Sequence, residues 1–398
     1  MGDLRSTAVI DADGHILEPA WLWEEGVESR FRDRALRVRL NDAGLEYIEV
    51  DGQPFERLSP GALALLGSMG ELDAVPGPER RYMDTMPLGA CDMAERLQLL
   101  DQQGLAAAVL YTTLGIVWES ATDDVELSDA LARAYNRWIA ELCRGSGGRL
   151  IAVAHLSLLD PHLAAAELER AVHDGCRGAT VLPWNYQRIP HGDPYFDPLW
   201  ETAAGLGVPI TLHPGYEPSW CNTLGRFSQH DSTPGVGGPG AMFMSNMAAR
   251  IGVQQAFTSF FAYGTFERHP GLRIGVLESG AGWIGSLLDR MESLQGDTVF
   301  RATTSMTRPA SEYFRQQCFI SCDPDETAAP HVVDHVGADC FVWATDYPHP
   351  DHPADWRTGL ERFVEPLSAA TTAKVAAANA ARMYGIEVPT GPPVSRSG

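Results

Sequence analysis

Short apolar runs alternate with longer amphipathic stretches along most of the chain. Apolar runs of four to eight residues between turn residues are typical of buried strands, and a repeat of about 3.6 residues is typical of helices. Candidate strands occupy residues 7–12, 106–112, 150–158, 178–184, 209–214, 273–279, 318–322 and 340–345. Helix-like stretches include residues 124–144, 162–173, 198–205, 282–294 and 369–384. This alternation predicts parallel βα units.

Eight such units favour a closed (β/α)8 TIM barrel, of the α/β class, over an open doubly wound sheet. No glycine-rich GxGxxG turn follows the first strand, which also weighs against a dinucleotide-binding fold. The sequence therefore predicts a single TIM-barrel domain over residues 1–388, followed by a flexible tail at residues 389–398.

Two long segments interrupt the pattern, and we predict insertions after strands 1 and 5. In the first, at about residues 20–90, the runs 36–40 and 45–50 flank the turn residues 41–44, which predicts a β-hairpin. The second, at residues 216–252, is rich in Gly, Pro, Met and Phe, as in loops that cover ligands. Both leave from carboxyl ends of strands, the face where TIM-barrel active sites lie.

Composition narrows the possible partners and location of this 398-residue chain. Apolar residues make up 44%, enough for a large core, and the formal net charge of −22 argues against nucleic acid and anionic membranes as partners. Seven cysteines without a CxxC pair predict neither a disulfide framework nor a zinc ribbon. The chain shows no signal segment and no membrane-length apolar run, which predicts a cytoplasmic protein. A homodimer is one option.

Potential metal ligands stand at the ends of the candidate strands. They are Asp13, His15 and Glu18 after strand 1, His155 on strand 3, His213 on strand 5, Glu278 on strand 6, Asp323 on strand 7, and Asp346 and His349 after strand 8. Successive strand residues face opposite sides, so Asp13 and His15 can point the same way. Mixed imidazole and carboxylate ligands suit divalent iron, zinc or manganese, so the sequence predicts a metal site.

Three motifs carry a family resemblance: IDADGH at residues 10–15, TLHPG at 211–215 and ATDYPH at 344–349. They resemble the amidohydrolase-related branch of metal-dependent TIM barrels. That branch includes hydrolases and nonoxidative decarboxylases of the aminocarboxymuconate semialdehyde type. The resemblance spans nearly the whole chain and implies a metal-dependent enzyme.

The chain departs from the decarboxylase pattern at two positions. Asp13 stands where the family usually has the first histidine of His-x-His, and Ser279 stands where it usually has a catalytic histidine. Serine is no general acid or base near neutral pH, which weighs against decarboxylation or simple hydrolysis. The added carboxylates of Asp13, Glu278 and Glu18 favour instead a site that balances a second cation.

This departure resembles a smaller group on the same barrel, the nonheme diiron oxygenases typified by the diterpenoid hydroxylase of the platensimycin and platencin pathway. The resemblance implies an oxidoreductase of secondary metabolism with two irons. It would be a monooxygenase that uses dioxygen and an unknown reductant to hydroxylate a bulky, diterpenoid-like coenzyme A-linked substrate. Asp13, His15, His213 and Asp346 would hold one metal, and Glu278 would bridge or complete the site.

The remaining roles and the apolar pocket are assigned on the same hypothesis. Glu18, His230 and His349 are candidates for the second metal or its support, and the catalytic residues would be Glu278, Asp346 and His349. An apolar pocket would be lined by residues 241–244 and by Phe257, Phe260, Phe261, Tyr263, Trp184, Trp220 and Trp283.

Two alternatives remain open. One is a mononuclear zinc or manganese hydrolase or nonoxidative decarboxylase, with Asp346 as general base and no oxygen consumption. The other is a non-catalytic binding barrel with a structural metal or none. Metal content and oxygen uptake distinguish these functions.

Overall fold

The computed structural model describes residue 4 and residues 7–218, 220–221 and 239–388. The strands of this part of the chain are β1 (Ile10–His15), β2 (Arg37–Leu40), β3 (Glu46–Val50), β4 (Gln53–Pro54), β5 (Ala107–Tyr111), β6 (Leu150–Ala152), β7 (Ala154–His155), β8 (Ala179–Val181), β9 (Pro209–Leu212), β10 (Arg273–Val276), β11 (Cys318–Cys322) and β12 (Phe341–Trp343).

The helices in the same residues are α1 (Leu22–Gly26), α2 (Met93–Gln103), α3 (Gly115–Trp118), α4 (Val125–Cys143), α5 (Pro161–Asp174), α6 (Asp197–Leu206), α7 (Pro239–Ala262), α8 (Thr265–Arg268), α9 (Ile284–Gly296), α10 (Ala310–Gln317), α11 (Ala329–Val336), α12 (Trp356–Val364), α13 (Ala369–Ala373) and α14 (Asn379–Tyr384). A π-helical segment, Lys374–Ala378, joins the last two. No described helix is both long and apolar enough to cross a lipid bilayer.

Nine of the strands form one parallel barrel in chain order, from β1 through β5 to β12. β6 and β7 are two pieces of a single predicted strand, interrupted at Val153. The ring closes between its last and first strands, where Asp346 N donates to Asp13 O at 2.8 Å and His15 N donates to Tyr347 O at 2.7 Å. The predicted (β/α)8 barrel is confirmed.

The sequence places acidic caps where the barrel helices begin. The Asp124 side chain accepts hydrogen bonds from the backbone N–H groups of Glu126 and Leu127, at 3.0 and 3.1 Å, and α4 starts there. Asp160 caps α5 in the same way. Such caps satisfy backbone donors that the first helical turn leaves without partners.

An apolar cluster fills the barrel interior and continues into α14. This inner cluster comprises Ile10, Ala12, Ala107, Val109, Tyr111, Ile151, Val153, Leu277, Phe319, Val342, Ala377, Ala380, Ala381, Met383 and Tyr384. Met383 packs so closely on β10 that a Cβ at Gly275 would lie 2.3 Å from its Cε. Arg273 Nη1, at the start of β10, donates to Arg382 O at 2.8 Å. The last helix therefore seals the amino end of the barrel.

The predicted hairpin is confirmed, as β2 and β3 pair antiparallel and β4 adds a third strand. The Phe55 ring, just after β4, meets Tyr216 edge to face at 5.2 Å, so this insertion contacts the segment that follows β9. The prediction of a loop over residues 216–252 is wrong from Pro239 onward, where α7 begins. Residues 239–252 contain three Ala and three Met, which favour a helix, but their Gly, Pro and Phe content also suits a loop, so composition alone did not separate the two. The predicted flexible tail at 389–398 lies outside the described residues.

Candidate metal centre

Two histidines face each other at the carboxyl end of the barrel. Their Nε2 atoms, on His15 and His213, lie 3.1 Å apart. His15 Nδ1 donates to Thr112 O at 2.9 Å, and His213 Nδ1 donates to Pro214 O at 2.7 Å. Because a carbonyl oxygen only accepts, each ring carries its proton on Nδ1 and directs an Nε2 lone pair at the other. Two facing lone pairs repel each other unless a cation lies between them.

Two buried carboxylates surround the same point. Asp13 and Asp346 are 1% and 2% exposed, and none of their four oxygens accepts a hydrogen bond within the described part of the chain. Asp346 Oδ1 lies 3.3 Å from His15 Nε2, and Asp13 Oδ1 lies 3.6 Å from the same atom. Buried charge without a partner is strongly unfavourable. The donor set therefore fits a divalent cation with nitrogen and oxygen ligands.

A third carboxylate approaches from β10. Glu278 Oε2 lies 3.2 Å from His213 Nε2. Glu278 and Asp346 both adopt left-handed backbone conformations, with φ of 44° and 57°. For residues other than glycine this conformation costs about 1–3 kcal/mol and often marks a functional site. The turns after β10 and β12 thus aim two carboxylates inward at the expense of local stability.

The electrostatics of the cluster reflect a shortage of positive charge. Burial, followed by the nearby Asp346 carboxylate, raises the pKa of both Asp13 and Glu278 well above the ordinary carboxyl range. Burial and the Asp351 carboxylate do the same to the pKa of Asp346. Burial lowers the pKa of His213 to about 4, which favours the neutral, metal-binding imidazole. A bound cation would allow all of these groups to shed their protons.

His349 adjoins the cluster through Asp346. Its Nδ1 lies 3.1 Å from Asp346 Oδ1, and its Nε2 forms a 3.0 Å hydrogen bond with Thr113 Oγ1. His352 follows on the same loop, with Nε2 3.9 Å from Asp346 Oδ2. Although burial lowers it, the Asp325 and Asp346 carboxylates raise the pKa of His352 to about 9. The loop after β12 therefore supplies a carboxylate flanked by two imidazoles.

The predicted ligands Asp13, His15, His213, Glu278 and Asp346 lie together in the structure, with His349 beside them. Atoms of Asp13, His15 and His213 fall within 4.8 Å of one another, as do atoms of His15, Asp346 and His349. The structure thus brings together most of the residues that the sequence singled out.

Glu18 is a correction to the predicted ligand set. Its carboxylate accepts hydrogen bonds from Thr113 N at 3.0 Å and Leu114 N at 2.8 Å, so its oxygens are turned away from the other ligands. The prediction failed because the loop that binds Glu18 is distant in sequence. The candidate His230 lies outside the described residues.

The structure also changes the interpretation of four other residues that the sequence singled out. Ser279 is buried and donates to Leu277 O at 3.0 Å, so its hydroxyl serves the turn after β10. Phe257 and Phe260 are fully buried, and Phe260 packs on the Trp200 ring at 5.2 Å. The proposed apolar pocket is wrong for these two rings, because they belong to the packed core. His155 pairs with buried Glu119.

Two residues that support the site were missed. Asp11 accepts from Thr345 N at 2.9 Å and from Thr345 Oγ1 at 2.7 Å, which ties β1 to the loop after β12. Arg96, fully buried, donates to Gly89 O at 2.6 Å and to His15 O. A charged residue inside the apolar run of β1 was the available signal for Asp11. For Arg96, on an ordinary amphipathic helix, the sequence offers no signal.

Comparison with known proteins gives concordant results. A profile of the family described as Amidohydrolase matches residues 10–386. Gamma-resorcylate decarboxylase from Rhizobium sp. (strain MTP-10005) is 27% identical over 304 residues, which cover 73% of this chain and 86% of that protein.

Solved structures support the same fold. An amidohydrolase from Mycobacterium avium subsp. paratuberculosis K-10 has a TM-score of 0.76 at 22% identity, covering 96% of this chain and 100% of that one. A 5-carboxyvanillate decarboxylase from Novosphingobium aromaticivorans DSM 12444, complexed with manganese and 4-hydroxy-3-methoxy-5-nitrobenzoic acid, has a TM-score of 0.65 at 17% identity. That match covers 97% of this chain and 98% of the other.

These relatives overturn the leading hypothesis from the sequence. The expectation of a diiron monooxygenase is wrong, because the curated relative is a gamma-resorcylate decarboxylase and a solved neighbour is a 5-carboxyvanillate decarboxylase. The comparisons give no support to two irons, to a coenzyme A-linked substrate, or to the use of dioxygen and a reductant. A divalent metal does, from both the donor set and the manganese in a structural neighbour.

Proposed function

The chain belongs to the amidohydrolase family, and on that premise we propose that it is a divalent-metal-dependent enzyme that decarboxylates an aromatic carboxylic acid without an oxidant. The observation that carries the proposal is the pair of facing Nε2 lone pairs of His15 and His213, beside the buried carboxylates of Asp13 and Asp346, whose oxygens accept no hydrogen bond from the described residues. The decarboxylase relatives supply the reaction class.

Four side chains would hold the metal: Asp13, His15, His213 and Asp346. Glu278, near His213 Nε2, would complete the site or face the substrate. When bound, a divalent cation would orient the oxygens of the substrate and stabilise negative charge that develops on it.

The reaction replaces a carboxylate by a proton. The bond between the ring carbon and the carboxyl carbon breaks, carbon dioxide leaves, and the electron pair stays on the ring carbon, which takes up a proton. A group that holds a proton near neutral pH must therefore stand over the ring.

We assign the proton to the Asp346 and His349 pair. His349 Nδ1 lies 3.1 Å from Asp346 Oδ1, close enough for a proton to pass between the two groups. The Thr113 hydroxyl fixes the far side of the His349 ring at 3.0 Å. The proton would then come from the loop after β12, which removes the objection that Ser279 replaces a catalytic histidine after β10.

The test is carbon dioxide release from purified protein supplied with Mn²⁺ in the absence of oxygen. The substrates are gamma-resorcylate, which is 2,6-dihydroxybenzoate, and 5-carboxyvanillate. Both acids appear in the names of the similar proteins, and related ortho-hydroxy aromatic acids are tested beside them. We expect release that stops on chelation and returns when Mn²⁺ is restored.

Two results would contradict the proposal. One is a metal-replete protein that releases no carbon dioxide from any acid of the series but hydrolyses an ester or amide. The other is turnover that consumes oxygen.

A further inference from the structure

Glu18 is a fully buried carboxylate with many donors around it. It accepts hydrogen bonds from the backbone N–H groups of Thr113, Leu114 and Gly115 at 3.0, 2.8 and 3.4 Å, and from the Thr112 hydroxyl. Three of these donors reach Oε1 and Leu114 N reaches Oε2, so the turn engages both oxygens of the carboxylate. Glu18 therefore fixes the whole turn that follows β5.

The turn at residues 112–115 touches the metal centre at two atoms. Thr112 O accepts from His15 Nδ1 at 2.9 Å, which sets the tautomer and ring orientation of His15. Thr113 Oγ1 bonds to His349 Nε2 at 3.0 Å. The same four-residue turn thus orients one imidazole predicted to bind the metal and one predicted to carry a proton.

Glu18 itself is held from its other side. The Tyr82 hydroxyl, from the first insertion, donates to Glu18 O at 3.0 Å. Glu18 also follows His15 by three residues on the same segment, whose Ile16 N donates to Tyr111 O at 3.0 Å. The carboxylate is therefore a short, rigid connection between the first-strand motif and the turn after β5.

We infer that Glu18 is a positioning residue of the metal centre, which acts through the turn at residues 112–115 to aim His15 Nε2 at the cation and to hold His349 beside Asp346. This inference rests on the proposed metal site but not on the identity of the substrate. Partners of this kind typically change metal affinity or activity about 10- to 100-fold when removed.

Glu18→Gln is the informative variant. A glutamine keeps the volume but offers only one accepting oxygen, and its NH₂ group would face the N–H donors of the turn. We expect the Mn²⁺ dissociation constant to rise about 10- to 100-fold, with a lower kcat and little change in KM. Free Mn²⁺ is measured by its paramagnetic resonance signal, so the result does not depend on turnover.

Glu167→Gln is the matched control. Glu167 is also a buried carboxylate; it accepts from Asn136 Nδ2 at 2.6 Å and from Arg170 Nε at 2.7 Å, on helices outside the barrel. We expect this variant to lower the thermal unfolding temperature and leave the Mn²⁺ dissociation constant unchanged. A merely structural role for Glu18 would give the same result in both variants.

Glu18→Asp keeps the charge but shortens the side chain, and we expect a dissociation constant between those of wild type and Glu18→Gln. If either folded Glu18 variant bound Mn²⁺ as tightly as wild type, the inference would be wrong. If wild type bound Mn²⁺ and Glu18→Gln bound it weakly, but no acid lost carbon dioxide, the inference would stand and the proposed reaction would fail.

Discussion

The two ends of the barrel are built on opposite principles, although the same eight strand positions contribute to both. At the amino end, apolar residues of the inner cluster pack against α14. At the carboxyl end, the buried carboxylates of Asp13 and Asp346 accept no hydrogen bond from the described residues, and Glu278 and Asp346 have left-handed backbone conformations. The amino end holds the fold together, whereas the carboxyl end is complete only with a cation. In TIM barrels this division separates stability from catalysis.

Replacing a predicted metal ligand should have the largest effect on activity. It should also show most clearly that the carboxyl end of the barrel serves metal binding and not stability. We expect Asp13→Asn to lower activity by more than the roughly 100-fold that marks the upper range for supporting residues, and to abolish Mn²⁺ binding. Because it removes a buried carboxyl that must take up a proton or lie uncompensated when the metal-free protein folds, it should raise the thermal unfolding temperature of that form. Calorimetry of the chelated protein checks this. Equal destabilisation of the metal-free and metal-loaded forms would show that Asp13 is structural.

Removing the metal should have the second largest effect, because it should change how the stability of the protein depends on pH. Burial raises the pKa of Asp323 to about 7 from its ordinary value of 3.8, and burial also raises the pKa of Asp13 and Glu278. Burial lowers the pKa of His15, His213 and His349, which acts in the opposite direction, but these three imidazoles are outnumbered by the four carboxyls with raised pKa, Asp13, Glu278, Asp323 and Asp346. Together these groups bind more protons in the folded metal-free protein than in the unfolded chain, so their contribution to stability falls as pH rises from about 4 to about 7. Unfolding midpoints measured with chelator should show this fall. With Mn²⁺ bound the slope should shrink, and parallel curves would speak against the metal site.

Shortening a side chain at the amino end of the barrel should lower the stability of the fold and leave metal binding unchanged. Met383→Ala leaves a cavity against β10, where the side chain now packs on Gly275, and buried Met→Ala changes cost about 2–5 kcal/mol. Denaturant unfolding measures the loss of unfolding free energy. The Mn²⁺ dissociation constant should stay at the wild-type value. A change in metal affinity would mean that the two ends are coupled.

We expect the smallest effect on stability from a substitution between the inner cluster and the metal centre, where the two ends of the barrel come closest. Tyr384→Phe removes the hydrogen bond to Tyr111, whose ring stacks on His213 with centroids 5.9 Å apart. A single buried hydrogen bond contributes about 0.5–1.5 kcal/mol. We expect a loss of unfolding free energy in that range with unchanged kcat. A clear fall in kcat would place Tyr384 among the positioning residues.

The fold was largely predictable because buried parallel strands and amphipathic helices leave strong periodic signals. The strand predicted at 150–158 shows the limit, since apolar composition does not reveal the break at Val153. Asp13, His15 and His213 could be grouped because carboxyl ends of barrel strands converge. Glu18 could not be placed, because its role depends on how a turn about ninety residues later folds against it.

The reaction was predicted wrongly for a related reason. The hypothesis rested on Ser279 together with the added carboxylates of Asp13 and Glu278, yet in the fold the Ser279 hydroxyl donates to the backbone of its own turn. The same set of imidazole and carboxylate ligands serves several metals and reactions. The proposed proton donor rests on the approach of His349 to Asp346, which only the three-dimensional arrangement provides.

The left-handed conformations of Glu278 and Asp346 also bear on how this enzyme responds to laboratory evolution. A left-handed residue with a side chain costs about 1–2 kcal/mol, a cost that glycine largely avoids. Screens that select for heat resistance alone would therefore enrich Glu278→Gly. Because Glu278 belongs to the proposed site, these heat-resistant clones would no longer turn over substrate. Replacement of Asp346 would be selected less strongly, because aspartate tolerates the left-handed conformation better than glutamate does. A library built to improve this enzyme should hold both codons fixed.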